Sequence, residues 1–462
     1  MATDRPKEVC VVGSRTDADD PLGATAPVKV HGSVYASVRL ISPRECMGFS
    51  NFQFVPRPGP DARRFPGHRE VYWYLKDFCA AFGLEDAVRL NTRVVRVAMA
   101  PPREACSGDV KWLVRSVHVE PNGSEDGVAV EEVFDAVRPL SQPRLPSIKG
   151  MESWRRRQLH SHSYREPEPF RGEVVVVVGC GASGLDIAME LCGVANEVYL
   201  AAKSVEDAAR PPPAVSKMLA NHADIRRHPP VDQLCDDGTT VAFADGSRAA
   251  ADAVIYCTGY RYSFPFLDTG GIVAVDNGNR VGPLYEHTFP PALAPSLSFV
   301  GVPMWVFGPW FFEAQARWVA LVLWGKAALP PEEEMLRALH EDYRAREIAG
   351  VPAYHAHAIP AEVWEFVYRH SNLPRMEDWK VELFTTSILM DSREDRETFR
   401  DRDDDSESVL EGLRRWRRVA GAQYEAALAA ASGDRFHAEA DTAQVNKPPL
   451  PAIPCQISTL MN

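Results

Sequence analysis

Cysteine is sparse and shows no pairing pattern: nine residues in 462, an odd number, with no CxxC spacing. That excludes a zinc ribbon or a disulfide framework and fits free thiols in a reducing compartment. Long apolar runs are also missing. No 18-residue stretch is apolar throughout, and the nearest approach, residues 296–325, is broken by Glu313 and Arg317, so no integral membrane span is expected. A basic excess is absent too. The 51 Lys and Arg against 63 Asp and Glu leave a formal net charge of −12, which argues against nucleic acid or an anionic membrane as partner. The polar first residues contain no apolar signal core, and no Ser/His/Asp set or carboxylate pair stands out. What remains is a chain long enough for two or three domains. A cytoplasmic α/β protein is expected, and nothing in the sequence sets its oligomeric state.

The densest chemistry lies in residues 174–203. Five valines, Val174 to Val178, run into Gly179-Cys180-Gly181-Ala182-Ser183-Gly184, then into the apolar-periodic Leu185-Asp186-Ile187-Ala188-Met189-Glu190-Leu191, then into Val198-Tyr199-Leu200-Ala201. Strand, glycine turn, helix and strand make one βαβ unit with a dinucleotide fingerprint at its first turn. Gly179 serves the tight turn, Gly181 the approach of a pyrophosphate and Gly184 close helix–strand packing; the helix N-terminus offers its free N–H groups to phosphate. Lys203 and Ser204 end the second strand. An acid there suits the ribose diol of NAD, whereas a cation suits the 2′-phosphate of NADP, so NADPH is the expected dinucleotide. The blander reading of Lys203 is a solvated strand end.

Before this unit, Val9-Cys10-Val11-Val12-Gly13 starts a similar strand, but polar residues and Pro21 follow where a glycine turn and helix belong. A helix is expected over 69–82, with Val71, Tyr74, Leu75, Phe78 and Phe82 on its buried face and Gly83 as its stop. Strands are expected over 88–97, 112–119 and 128–137, the last two as an antiparallel ribbon turning at Pro121-Asn122-Gly123. Residues 208–228 read as loop and helix around Pro211-Pro212-Pro213. Residues 241–243 and 249–256 read as strands, the second ending in Cys257-Thr258-Gly259-Tyr260. An apolar strand is expected over 297–301, and a helix over 310–324 with Phe311, Gln315, Trp318 and Val322 on one face. Residues 331–431 read as charged helices, 392–408 as a solvated mixed-charge face, and 433–462 as a flexible tail. His355 and His357 read as surface histidines for want of further metal ligands in step. Phe49, Phe52, Phe54, Trp305, Phe307 and Trp310 read as core before pocket lining.

These residues resemble the flavin-containing monooxygenases, in particular the plant S-oxygenating group that acts on methylthioalkyl glucosinolates. The resemblance runs from about residue 30 to about residue 416. Residues 154–164 are similar to the family's FxGxxxHxxx[YF] signature, keeping His160 and Tyr164 with Trp154 and Arg156 substituted. Gly179 to Gly184 match the family's NADPH glycines, and Asp252-Ala253-Val254-Ile255-Tyr256-Cys257-Thr258-Gly259-Tyr260 matches its interdomain strand and TGY turn. Residues 312–318 resemble its late FAD-domain helix. The resemblance implies two dinucleotide-binding (Rossmann-like) domains in an α/β fold, the NADPH domain inserted into a discontinuous FAD domain. On that pattern, 1–165 and 285–432 form the FAD-type parts, 166–284 the NADPH domain, and 433–462 the tail.

The implied reaction passes hydride from NADPH to FAD, traps O2 as a flavin C4a-hydroperoxide, and gives one oxygen to a soft nucleophile, a thioether sulfur or an amine nitrogen. The cofactor carries that chemistry. NADPH would be held by Gly179, Cys180, Gly181, Ala182, Ser183, Gly184, Lys203 and Ser204, with Gly13, Thr258, Gly259 and Gln315 on the FAD side or between domains. Three departures from the family strike FAD and spare NADPH. The roughly 30-residue βαβ unit expected after Gly13 is not written there. The Asn-Gly-His turn expected after Val137 is replaced by Arg138-Pro139-Leu140. Leu40 and Ile41 stand where the family has Thr-Asn, the asparagine being its residue beside the flavin. Weak FAD retention is therefore expected, and the alternative function is that of an impaired NADP(H)-binding remnant, or a gene model lacking coding segments.

Overall fold

A computed structural model of the chain describes residues 34–57, 61–100, 110–119, 130–134, 141–276, 279–359, 362–389, 395–402 and 404–432. The readings made for residues 9–13, for the 121–123 turn, for 137–140 and for the tail lie outside these. Helix α1 (His68–Ala81) starts one residue earlier than its pattern suggests and is followed by Gly83 in the left-handed region. Of its five expected core residues only Tyr74 is buried, and Leu75 and Phe82 are exposed. The antiparallel strands β1 (Thr92–Met99), β2 (Trp112–His118) and β3 (Val130–Phe134) follow, and the short β4 (Ser141–Pro143) comes next.

The centre is a five-stranded parallel sheet. Strand β5 (Arg157–His160) precedes β6 (Val174–Val178), helix α2 (Ala182–Leu191) and β7 (Glu197–Ala201). Helices α3 (Val205–Ala209) and α4 (Pro213–Asn221) lead to β8 (Ile225–His228). Residues 225–228 were expected in loop or helix. They are instead the edge strand, since the N–H of Val198 and Ala202 donate outward to the carbonyls of Asp224 and His228. Strands β9 (Val231–Leu234), β10 (Thr240–Phe243) and β11 (Arg248–Ala250) form an antiparallel layer before β12 (Ala253–Tyr256) returns to the centre. The spatial order is β5-β12-β6-β7-β8. Val175 and Val177 face α2 and α4, while Val176 faces the antiparallel layer. Both faces of β6 are thus covered, which is why five valines run without alternation. Each fully buried valine stabilises by roughly 1.5–3 kcal/mol.

Strand β13 (Tyr260–Tyr262) leaves this sheet to pair with β4, and β14 (Leu267–Asp268) joins β1 in parallel. Residues 297–301 are not a strand. Leu297 and Phe299 are buried as their apolarity requires, but the Phe299 N–H donates to the Thr288 carbonyl in a loop instead of a ladder. Helix α5 (Gly308–Leu323) buries Phe311, Gln315, Trp318 and Val322 as expected, against α7 (Val363–His370). Between them runs α6 (Glu332–Ile348), and α8 (Asp378–Leu389) and α9 (Glu407–Ser432) close the chain. The face of α9 made by Val409, Leu413, Trp416, Ala420 and Tyr424 packs with Tyr74, Phe52 and Phe54. Phe307 and Trp310 enter a separate core with α5. Both aromatic groups therefore include core residues.

Two polar readings need correction. His357 is not at the surface but almost fully buried, accepting from the Val281 N–H at 2.9 Å, with its Nδ1 3.0 Å from Nδ1 of His287. The mixed-charge run is not simply solvated. Asp395 and Arg396 are buried, because acids and bases of other elements meet them.

Candidate functional site: a dinucleotide cradle at the carboxyl end of β6

The glycine turn sits where β6 leaves the sheet centre, with β12 on one side and β7 on the other, the topological switch point of a doubly wound sheet. Gly179 has φ 110°, and a Cβ on it would lie 2.5 Å from the Cys257 carbonyl. Its N–H donates to Ala201 at 2.9 Å, fixing the turn to β7. A Cβ on Gly184 would fall 1.9 Å from the Gly179 carbonyl oxygen, so α2 presses on the turn. Gly181 differs: nothing lies within 4 Å of its missing Cβ. It is the N-cap of α2, no side chain caps that end, and Ala182 and Ser183 are exposed. Bare N–H groups at a helix start beside an open glycine make a pyrophosphate seat.

At the end of β7, Lys203 is exposed, and the Ser204 hydroxyl accepts from the Asp207 N–H at 3.0 Å as the cap of α3. Arg227 on β8, in register with Leu200, is a cation the sequence reading missed. Its Nη2 donates to the Asp207 carbonyl at 2.7 Å, while its Nε and Nη1 are buried without a partner. Burial pushes the Cys180 thiol up, and the Arg227 guanidinium nearby pulls it partly back. The signal that could have found Arg227 is the strand itself, which the preceding prolines disguised as loop. An open glycine, a glycine that only hydrogen fits, unspent guanidinium nitrogens and an exposed lysine together fit NADPH.

Across the cradle runs the seam between the parallel sheet and the rest of the chain. His160 Nδ1 accepts from the His162 N–H at 3.1 Å, so its Nε2 carries the proton and donates to the Gly259 carbonyl at 3.1 Å. Burial lowers the His160 pKa, which keeps the ring neutral. Gly259 has φ 77°, and the Thr258 hydroxyl donates to the Arg144 carbonyl. Thr258 thus ties the end of β12 to the residue after β4, and His160 ties the end of β5 to the turn that enters β13. Tyr164 is buried, edge-on to Tyr35 and stacked on Phe170.

The scaffold places these features in a known context. The model of the family described as flavin-binding monooxygenase-like matches residues 26–206 and 218–362. The chain belongs to that family. It is 47% identical over 411 residues to the flavin-containing monooxygenase FMO GS-OX-like 9 of Arabidopsis thaliana, covering 86% of this chain and 85% of the relative. It is 48% identical over 403 residues to FMO GS-OX-like 8 of the same plant, with the same coverages. Among solved structures, S-allyl-L-cysteine S-oxygenase from Allium sativum superposes with a TM-score of 0.73 at 36% identity, covering 84% of this chain and 85% of that one. The family is one of oxidoreductases, and its α/β fold with two dinucleotide-binding domains is the one read from the sequence.

The residues expected on the flavin side are placed as follows. Ile41, expected from the resemblance to stand where the family has asparagine, is exposed and has no side-chain donor. The Gln315 amide is fully buried and engaged within the chain: its Oε1 accepts from the Gly301 N–H and its Nε2 donates to the Thr288 hydroxyl, both at 2.9 Å. Gly13 lies outside the described residues. The Ile41 side chain therefore offers FAD no hydrogen bond.

Proposed function

We propose that this family member binds NADPH at residues 179–184 with Lys203 and Arg227, and spends it in oxygenating a soft sulfur nucleophile, a small-molecule thioether, with O2 as co-substrate. The observation that carries the reading is the cradle, complete from the Gly181 opening to the cation at Lys203. It sits on a chain similar along most of its length to a protein named for S-oxygenation of S-allyl-L-cysteine. A thioether is a neutral, polarisable nucleophile and needs no base to activate it, so the absence of an acid–base pair in the sequence is consistent with the assignment. The NADPH unit is taken as 166–284, inserted between the flavin-side parts 1–165 and 285–432.

A second reading is favoured by Ile41, whose side chain offers a flavin no hydrogen bond: an NADP(H)-binding protein that retains no FAD. One purification separates them. Yellow protein whose NADPH consumption rises with an S-alkyl cysteine, with sulfoxide formed in step, supports the first. Colourless protein that binds NADPH and consumes none, with or without added FAD, supports the second. NADPH oxidation dependent on added flavin, without sulfoxide, overturns both in favour of a diffusible-flavin reductase.

A further inference from the structure

The seven residues 395–401, between α8 and α9, touch both halves of the molecule. Toward the nucleotide unit, Asp395 receives Lys217 Nζ at 2.5 Å, and Glu397 receives His222 at 2.6 Å and Asn221 at 2.7 Å, all from α4 or its end. Arg396 and Arg400 converge on one carboxylate in the fingerprint helix. Arg396 Nη2 lies 2.7 Å from Asp186 Oδ1 and also donates to the Ala182 carbonyl at 3.2 Å, in the first turn of α2. Arg400 donates from Nη2 to Asp186 Oδ2 at 3.0 Å and from Nη1 to Oδ1 at 3.3 Å. The Tyr35 hydroxyl adds a further donor at 3.3 Å. Toward the flavin side, Arg400 Nε donates to the Leu40 carbonyl at 3.0 Å. Arg39 is held by the Asp401 carboxylate at 2.7 Å and by the Phe65 carbonyl at 2.9 Å. Arg400 and Arg396 are 10% and 3% exposed and Asp186 14%, so these are not screened surface pairs.

One guanidinium therefore holds the helix that seats the pyrophosphate with two of its donors, and the carbonyl of residue 40 with the third. Residue 40 is the immediate neighbour of Ile41. A planar fork with five fixed donors suits this double duty, and a lysine ammonium does not. We propose that Arg400, seconded by Arg396 and Asp186, is a positioning residue that registers the NADPH cradle against the flavin-side turn at residues 40–42. A three-point link of this kind fixes the distance between the two sites whatever occupies them. The consequence for chemistry rests on the NADPH reading above, whereas the link itself does not.

The test uses the full chain as wild type, R400M, R400K and D186N. Hydrogen exchange is followed over residues 38–42 and 182–187, and NADPH affinity by nucleotide fluorescence. R400M should raise exchange in both segments together, by about tenfold, with D186N doing the same and R400K recovering part of the protection. NADPH affinity in R400M should change by less than about threefold, while NADPH oxidation with added FAD falls by up to about a hundredfold from misplacement alone. Unchanged exchange over 38–42 in R400M overturns the proposal, as does full protection in R400K. A loss of NADPH affinity that accounts for the whole loss of rate also overturns it, since Arg400 then serves the nucleotide locally. Wild-type protein that binds no NADPH overturns the proposed function instead, and the exchange data still decide the link.

Discussion

Gly181 and Gly184 do opposite jobs with the same absent side chain. At Gly181 the empty space faces outward, so Gly181→Asp should fold and abolish NADPH binding, a carboxylate then occupying the phosphate seat. At Gly184 the space is already filled by the Gly179 carbonyl, so Gly184→Ala should distort the turn and lower both affinity and melting temperature. Comparing nucleotide titrations with thermal melts for the two variants distinguishes these outcomes. Lys203→Glu should weaken NADPH by at least about tenfold through lost attraction and new repulsion, leaving NADH little changed. NADPH affinity surviving in both Gly181→Asp and Lys203→Glu would contradict the assignment of the cradle.

The buried histidine pair supplies a pH prediction. His357 accepts at Nε2, so its proton is on Nδ1 and donates to His287. Burial, and secondarily the Arg346 guanidinium, push His287 down to about 3; burial holds His357 well below its ordinary range. Both are neutral when folded and take up protons near pH 6.5 when unfolded. Their contribution is therefore complete above about pH 6.5 and is lost as pH falls toward 3. Urea midpoints at pH 7.5 and 5.5 should show the drop, and His287→Gln should shrink it. Nothing in the spacing of His355 and His357 revealed this, because the partner lies 70 residues away.

At the level of elements, the sequence was most readable where one element satisfies itself. Strands β6 and β7, helix α5 and helix α1 came within a residue or two of their expected limits, while α2 starts at Ala182, inside the glycine turn and three residues before its apolar-periodic run. Residues 225–228 and 297–301 failed in opposite directions for one reason. A strand exists only where a neighbour offers a ladder, and β7 offers one to the polar Ile225–His228, whereas Phe299 finds the Thr288 loop. Gln315 ties that loop to α5 through Gly301 and Thr288. Gln315→Leu should strand the half-buried Gly301 N–H, while the Thr288 hydroxyl keeps its bond to the Glu286 carbonyl, and should cost roughly 1–3 kcal/mol, measured by denaturant melts. A cost near zero would mean that the loop relaxes to find other partners.

On the scale of the molecule, the nucleotide unit has cores of its own on both faces of its sheet, and α1 with α9 and α5 with α7 form others. Such clusters need not unfold together. Saturating NADPH at a hundredfold over its dissociation constant should stabilise the nucleotide unit by about 2.7 kcal/mol. In calorimetry that gain should appear in one transition if the units melt separately, and in a single shared one if residues 395–401 bind them tightly. The family fold was legible because its fingerprint is contiguous. The linking segment was not, because Asp186, Leu40 and Arg400 lie far apart in the chain and only the folded molecule brings them together. Alternating charges in a sequence look alike whether they face water or each other.

The free thiols complete the chemical picture. Burial pushes Cys257 and Cys192 up to about 12, and raises Cys46 and Cys180 as well. A protein proposed to hand oxygen to reduced sulfur carries reduced sulfur of its own, Cys180 and Cys257 beside the very turn that seats the nucleotide. Thiolate is a far better acceptor of an oxidising equivalent than thiol. By keeping these half-buried side chains protonated, the fold leaves its own sulfur a poor competitor with the substrate, a form of immunity to self-oxidation.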